Sequence, residues 1–159
     1  MFGFDPTPKS INWIKNQHLP VGFNFYEYGI NNETGVVKFY LPINPDFVSG
    51  SIIDQKNVTT ENSIDVQMKS FHDIVTDLGH QKIDILKMDI EGAEFNVLKS
   101  LFDPNILIDQ ILIEFHERFL PKGKIKLKNA IKFLQLEGYE IFAISETLEE
   151  YSFIRRNAL

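Results

Sequence analysis

The run Ile83-Asp84-Ile85-Leu86-Lys87-Met88-Asp89-Ile90-Glu91-Gly92-Ala93-Glu94 constrains the fold more than any other stretch of the chain. An apolar segment ends abruptly in two carboxylates and a glycine. A helical pattern begins at once, with Ala93, Val97, Leu98 and Leu101 on one face and Asp103-Pro104 as its stop. A buried parallel strand reads this way where it delivers acids to the mouth of an α/β sheet, the place at which such folds bind ligands.

The flanking sequence supplies the rest of the layer. Phe2 to Phe4 reads as the end of a strand stopped by Asp5-Pro6-Thr7-Pro8, and Pro8 opens a short helix carrying Ile11 and Ile14, proline being tolerated in a first turn. Phe23 to Ile30 reads as a strand, Asn31 to Gly35 as a turn and Val36 to Leu41 as a further strand, so these two are expected to form a hairpin. The aromatics Phe23, Phe25, Tyr26 and Tyr28 on the first of them fit a core better than a stacking platform. Pro42 to Asn62 reads as a long polar loop, a length that usually accompanies a function, with Ser49 and Ser51 as candidates for a lid. Ser63 to Met68 alternates as a strand does, and Phe71, Ile74, Val75 and Leu78 form one face of a helix that Gly79 ends. Ile111 to Phe115 is a buried strand, and Leu127, Ala130, Ile131 and Leu134 define a helix ended by Gly138. Tyr139 to Ser145 and Tyr151 to Arg155 close the chain as a strand pair around the acidic turn Glu146 to Glu150. This alternation predicts one α/β domain over residues 1–159, with a mostly parallel sheet covered on both sides.

Charge and composition exclude several classes of function. The chain has 16 basic against 22 acidic side chains, a balance that argues against a nucleic-acid partner. Its one basic stripe, Lys122, Lys124, Lys126 and Lys128, spreads over the solvent side of a helix. With no cysteine, disulfides, thiolate metal sites and thiol nucleophiles are all excluded. Neither a secretory leader nor an apolar run of membrane-spanning length is present, so the expected location is the cytoplasm, with no membrane span.

Three stretches together resemble FkbM-type S-adenosylmethionine-dependent methyltransferases: Phe4-Asp5-Pro6-Thr7-Pro8, Lys87-Met88-Asp89-Ile90-Glu91-Gly92-Ala93-Glu94, and Ile113-Glu114-Phe115-His116. The segments Gly35 to Tyr40 and Tyr139 to Ala143 also sit where that family would place them, so the resemblance covers nearly the whole chain. It implies a Rossmann-like class I methyltransferase sheet with an antiparallel C-terminal strand. The chain departs from the family in having no G-x-G among its nine glycines, and in opening where the family's second strand should be ending. On this reading it is N-terminally truncated. It is then a fragment, a degenerate remnant, or a domain completed by a strand from another chain.

The resemblance also assigns roles. Asp5 would accept hydrogen bonds from both ribose hydroxyls of S-adenosylmethionine, the alternative being an Asp-Pro turn residue. Asp89 would sit beside the cationic sulfonium. Glu91 would add charge there or complement the start of the following helix, and Asn31 would flank the base. Glu94, one turn into that helix, reads as structural or supporting, and Lys87 as neutralising a neighbouring acid. Glu114 and His116 would orient or deprotonate a hydroxyl acceptor on a sugar, a glycan or a secondary metabolite; the bland alternative for His116 is an exposed loop histidine. Asp89, Glu91, Glu114 and His116 have the chemistry of a hard-cation site, but their spacing does not demand one and no metal is expected. His18, His72 and His80 read as surface residues. The competing class of function is a non-catalytic Rossmann-like remnant used for binding or homo-oligomerisation; a divalent-metal hydrolase is a third.

Overall fold

A computed structural model describes residues 1–43, 50–52 and 58–158. Strands β1 (Phe2–Phe4) and β2 (Asn24–Tyr26) pair in parallel, joined through helix α1 (Pro8–Lys15). Thr7 caps that helix in extended conformation, and Pro8 takes its first turn. Strands β3 (Gly29–Asn31), β4 (Gly35–Pro42) and β5 (Val58–Ser70) form a second sheet in the order β3-β5-β4. Helix α2 (Phe71–Asp77) leads to a third sheet of β6 (Lys82–Met88), β7 (Leu107–Glu114), β8 (Tyr139–Ile144) and β9 (Glu150–Arg155), in the order β6-β7-β9-β8. Helix α3 (Glu94–Val97) runs on as a 3-10 turn over Leu98–Leu101, and α4 (Gly123–Leu136) joins β7 to β8.

The architecture is α/β with mixed sheets. Parallel pairing joins β1 to β2, β3 to β5 and β6 to β7; β4–β5, β7–β9 and β8–β9 are antiparallel. The hairpin expected between Phe23–Ile30 and Val36–Leu41 does not form. The first segment breaks at Glu27-Tyr28 into β2 and β3, which join different sheets, while β4 pairs with β5 from Gly35 to Pro42. The expected long loop is shorter than its composition implied, because β5 already begins at Val58.

Most helix boundaries follow from local chemistry. The Ser70 hydroxyl accepts from the Asp73 N–H at 3.1 Å and caps α2, and Gly79, at φ 67°, turns the chain away after it. The start of α4 packs tightly on the turn after β7: a Cβ on Gly123 would lie 1.8 Å from the Glu117 carbonyl oxygen. The main core gathers around β7, whose Ile108, Ile111 and Ile113 are buried together with Leu134 and Phe153. A smaller core joins Phe39, Val66 and Met68.

Strand β6 differs from the fully buried strand expected of it. Only Met88 is buried, and Ile85 is 58 % exposed. The reason is position: β6 pairs with β7 and, among the described residues, with no strand on its other side. The lysine stripe is solvent-exposed, as its spacing predicted.

Candidate active site

Two features meet where β1 and β6 end. The first is a cleft of roughly 220 Å³, which the ends of β1 and β6 share with Gly29 and Ile30 of β3. A water needs only about 10–15 Å³ on such a measure, so the cleft takes a multi-atom ligand. Asp5, Thr7, Asp89 and Glu91 give it polar groups, and Phe4, Ile30, Phe39 and Ile90 give it apolar wall. Both the Thr7 N–H, at 2.7 Å, and the Thr7 hydroxyl, at 2.6 Å, donate to Asp5 Oδ1. These two bonds set the orientation of the carboxylate.

The second feature is a cluster of carboxylates around one buried imidazole. His116 follows β7 and is only 2 % exposed, so it is not the exposed loop histidine of the bland alternative. Its Nε2 lies 3.5 Å from Glu91 Oε2, 3.5 Å from Glu114 Oε1 and 3.8 Å from Asp89 Oδ1. Its Nδ1 lies 2.9 Å from Glu94 Oε1, and the ring stacks on Phe119. Burial works to lower the His116 pKa. The hydrogen bond to Glu94 and the charges of Glu94, Glu91 and Glu114 outweigh it, so the ring keeps a proton to higher pH than usual. Glu114 is pushed upward, first by burial and then by the negative charge of Asp89.

Glu94 organises the whole arrangement. It is completely buried, and Oε1 accepts from the Ile90 N–H at 3.1 Å, the Gly92 N–H at 3.0 Å and the imidazole. A glutamate in the first turn of a helix reaching back to the preceding backbone is the logic of a capping carboxylate. It holds the Ile90-Glu91-Gly92 turn in shape, with Glu91 at φ 53° and Gly92 at φ 100°. Few side chains other than glycine adopt such a φ, so the Glu91 backbone is held against its preference. The Ser51 hydroxyl adds a 2.8 Å hydrogen bond to the Glu91 carbonyl.

The cleft and the cluster share Asp89 and Glu91. The structure therefore brings together Asp5, Asp89 and Glu91 on one side, and Asp89, Glu91, Glu114 and His116 on the other. Asn31 stays apart: it is buried on β3 opposite Ser70, and Gly29 and Ile30 line the cleft in its stead. Ser51 is 1 % exposed and bridged to Tyr40, a fixed residue rather than an open lid, while Ser49 lies outside the described residues. Lys87 forms no ion pair with an acid among the described residues. His72 pairs with Asp103 at the surface, and His80 packs edge-on against Phe2. Sequence reasoning passed over Thr7 and gave Glu94 too small a part. The signal for Glu94 was its place two residues beyond the glycine at the helix start.

The profile of the methyltransferase FkbM domain matches residues 1–141. The chain belongs to the FkbM methyltransferase family. Among curated relatives it is similar to the hexuronic acid methyltransferase AglP of Haloferax volcanii, at 25 % identity over 134 residues, covering 83 % of this chain and 54 % of that one. It is also similar to the 2-O-methyltransferase NoeI of Sinorhizobium fredii, at 25 % identity over 148 residues, covering 84 % and 60 %. A probable methyltransferase-like protein 24 of Homo sapiens matches at 44 % identity over a shorter stretch of 45 residues, 27 % of this chain and 12 % of that protein. The chain thus spans between about half and three-fifths of the length of its two longer-matching relatives. No solved structure matches it. No helix among the described residues is long and apolar enough to cross a membrane.

Proposed function

We propose that the chain carries the S-adenosylmethionine and acceptor sites of an O-methyltransferase acting on a sugar hydroxyl. The observation that carries this reading is the shared position of Asp5 and Asp89 on one cleft, at the ends of two parallel strands from different sheets. The donor set fits the cofactor: a carboxylate for a vicinal diol, a second for a cation, and an apolar wall between for a base. The names of the two longer-matching relatives, a hexuronic acid methyltransferase and a 2-O-methyltransferase, favour a sugar as acceptor. We read β2-β1 and β6-β7-β9-β8 as two flanks of one Rossmann-like sheet.

The cofactor, when bound, supplies an electrophilic methyl group on a sulfonium. The remaining work falls to the chain. Asp5 holds the ribose, its Oδ1 already fixed by Thr7. Asp89 lies beside the positive sulfur, and Glu91 adds a second negative charge. Glu114 and His116 position the acceptor hydroxyl, and Glu114 takes up its proton, suited to that by a pKa raised above the usual carboxylate value. Holding nucleophile and methyl in line contributes more than the proton transfer.

Calorimetric titration and a methyl-transfer assay on a hexuronic acid acceptor test the roles together. Asp5→Ala should weaken S-adenosylmethionine binding about tenfold or more. Glu114→Gln should spare binding and lower turnover about a hundredfold. Full affinity and full turnover in both variants would sink the assignment. A non-catalytic binding module is the second reading. It is favoured by the one-sided pairing of β1 and β6 among the described residues. It predicts no cofactor binding at all.

A further inference from the structure

We propose that Asp89, Glu114 and His116 form a binding site for one divalent cation of the magnesium or manganese class, with Glu91 as a further carboxylate ligand. One ligand atom from each of the three lies within 4.8 Å of the others, although Asp89 comes from the end of β6, Glu114 from the end of β7 and His116 from the loop beyond. Neighbouring ligands of an octahedral ion with bonds of about 2.1 Å sit about 3.0 Å apart, and opposite ones about 4.2 Å. The 3.5–3.8 Å separations from Nε2 to Glu91, Glu114 and Asp89 fall within that range. Closure onto an ion then draws the carboxylates inward by side-chain rotation.

An acidic cluster alone would not carry this. The imidazole does. His116 is 98 % buried by its 2 % exposure, and its Nδ1 is taken by Glu94. Its Nε2 makes no hydrogen bond among the described residues and faces three carboxylates instead. With Nδ1–H donating to Glu94, Nε2 faces oxygens that are themselves acceptors only, at 3.5–3.8 Å. A cation among them takes the place of the proton that Nε2 otherwise holds there. A carboxylate orienting a histidine whose other nitrogen binds metal is the usual supporting arrangement of such sites. Glu94 fits it further, because its Oε2 is buried without a hydrogen-bond partner among the described residues. One imidazole with two or three carboxylates suits magnesium or manganese better than softer ions, which prefer sulfur or several imidazoles.

On the methyl-transfer reading, on which this last role rests, the ion would seat the acceptor oxygen between Asp89 and Glu114. The site itself does not need that reading. Titration of Mn²⁺ into the full chain, followed by loss of the electron paramagnetic resonance signal of the free ion, tests it directly. One ion per chain is expected, displaced by excess Mg²⁺. Asp89→Asn and Glu114→Gln keep the shape of half-exposed or partly buried side chains, and each should weaken binding about tenfold or more. Asp109→Asn, toward the other end of β7, should leave it unchanged. Circular dichroism confirms that each variant is folded. Absence of stoichiometric binding, or equal binding by all three variants and the unaltered chain, overturns the proposal; a proton on Nε2 then supplies the positive charge. S-adenosylmethionine titrated in the presence of chelator reports separately on the methyl-transfer reading. Cofactor binding without Mn²⁺ binding removes the cation site alone, and Mn²⁺ binding without cofactor binding supports it alone.

Discussion

Glu94 shows how a single, wholly buried side chain sets the geometry of a site. Its Oε1 gathers two backbone N–H groups and one imidazole, all buried or nearly so. Replacing it with alanine strands three donors and leaves His116 without its orienting partner. Glu94→Ala should therefore cost about 3–5 kcal/mol, the range for breaking a buried charged pair together with unsatisfied donors. Glu94→Gln, which keeps an acceptor oxygen and nearly the same volume, should cost clearly less. Urea unfolding of the three proteins checks the order, and a Glu94→Ala as stable as the unaltered chain would show the hydrogen bonds to be incidental. Residue chemistry was legible in the sequence where a motif fixed the residue's place on an element. Asp89, Glu114 and His116 stand at strand ends, and the structure brings them together. The depth of His116 was not legible, because it depends on Phe119 and Glu94 closing over the ring from two other segments.

Among the elements, helices were easier to read than strands. The 3.6-residue spacing and the stops at Gly79 and Gly138 locate α2 and α4, since both capping and periodicity are local. Strand pairing is not local. Nothing in Phe23–Ile30 says that it divides, and nothing in Ile83–Met88 says that one side of its strand lacks a neighbour. Tyr139, at the start of β8, supplies a fastening that the sequence does not show. Its hydroxyl donates to the Ile108 carbonyl at 2.6 Å, tying β8 back to β7 beneath β9. Burial pushes its pKa from 10.0 up to about 12. A phenol whose folded-state pKa is raised stabilises the fold fully below its unfolded pKa, and loses that contribution as pH rises through the folded value. Tyr139→Phe should cost about 1 kcal/mol near neutrality, where the hydrogen bond is intact. The gap between the two proteins should then narrow as pH climbs from 10 toward 12, because the phenol increasingly resists burial. Denaturant unfolding at several alkaline pH values measures this. A gap that stays constant across that window would mean that Tyr139 ionises without consequence for the fold.

At the scale of the molecule, two sheets end in strands with one partner each. Among the described residues β1 pairs with β2 alone and β6 with β7 alone, and both present apolar surface, with Phe2 42 % and Ile85 58 % exposed. Open edges of this kind offer unpaired N–H and C=O groups to any strand that approaches, and proteins commonly guard them with charge. Here Lys82 and Lys87 lie on β6, but Lys82 is occupied by Asp84 and Asp109. A second copy of the chain is one source of such a strand, and a lysine at the exposed apolar position should oppose that pairing. Ile85→Lys should leave the unfolding free energy within about 0.5 kcal/mol, since the side chain is mostly solvated already. Sedimentation at rising protein concentration should show the unaltered chain shifting toward larger species and the variant staying monomeric. The same substitution lies on the strand that delivers Asp89 and Glu91, four positions before the first of them. It alters the edge without touching either carboxylate, so cofactor and Mn²⁺ titrations on the variant separate assembly from binding. If both proteins sediment alike as monomers at every concentration, the edges of β1 and β6 are not assembly surfaces. Loss of ligand binding in a monomeric, folded Ile85→Lys would instead tie the integrity of the site to pairing along that edge.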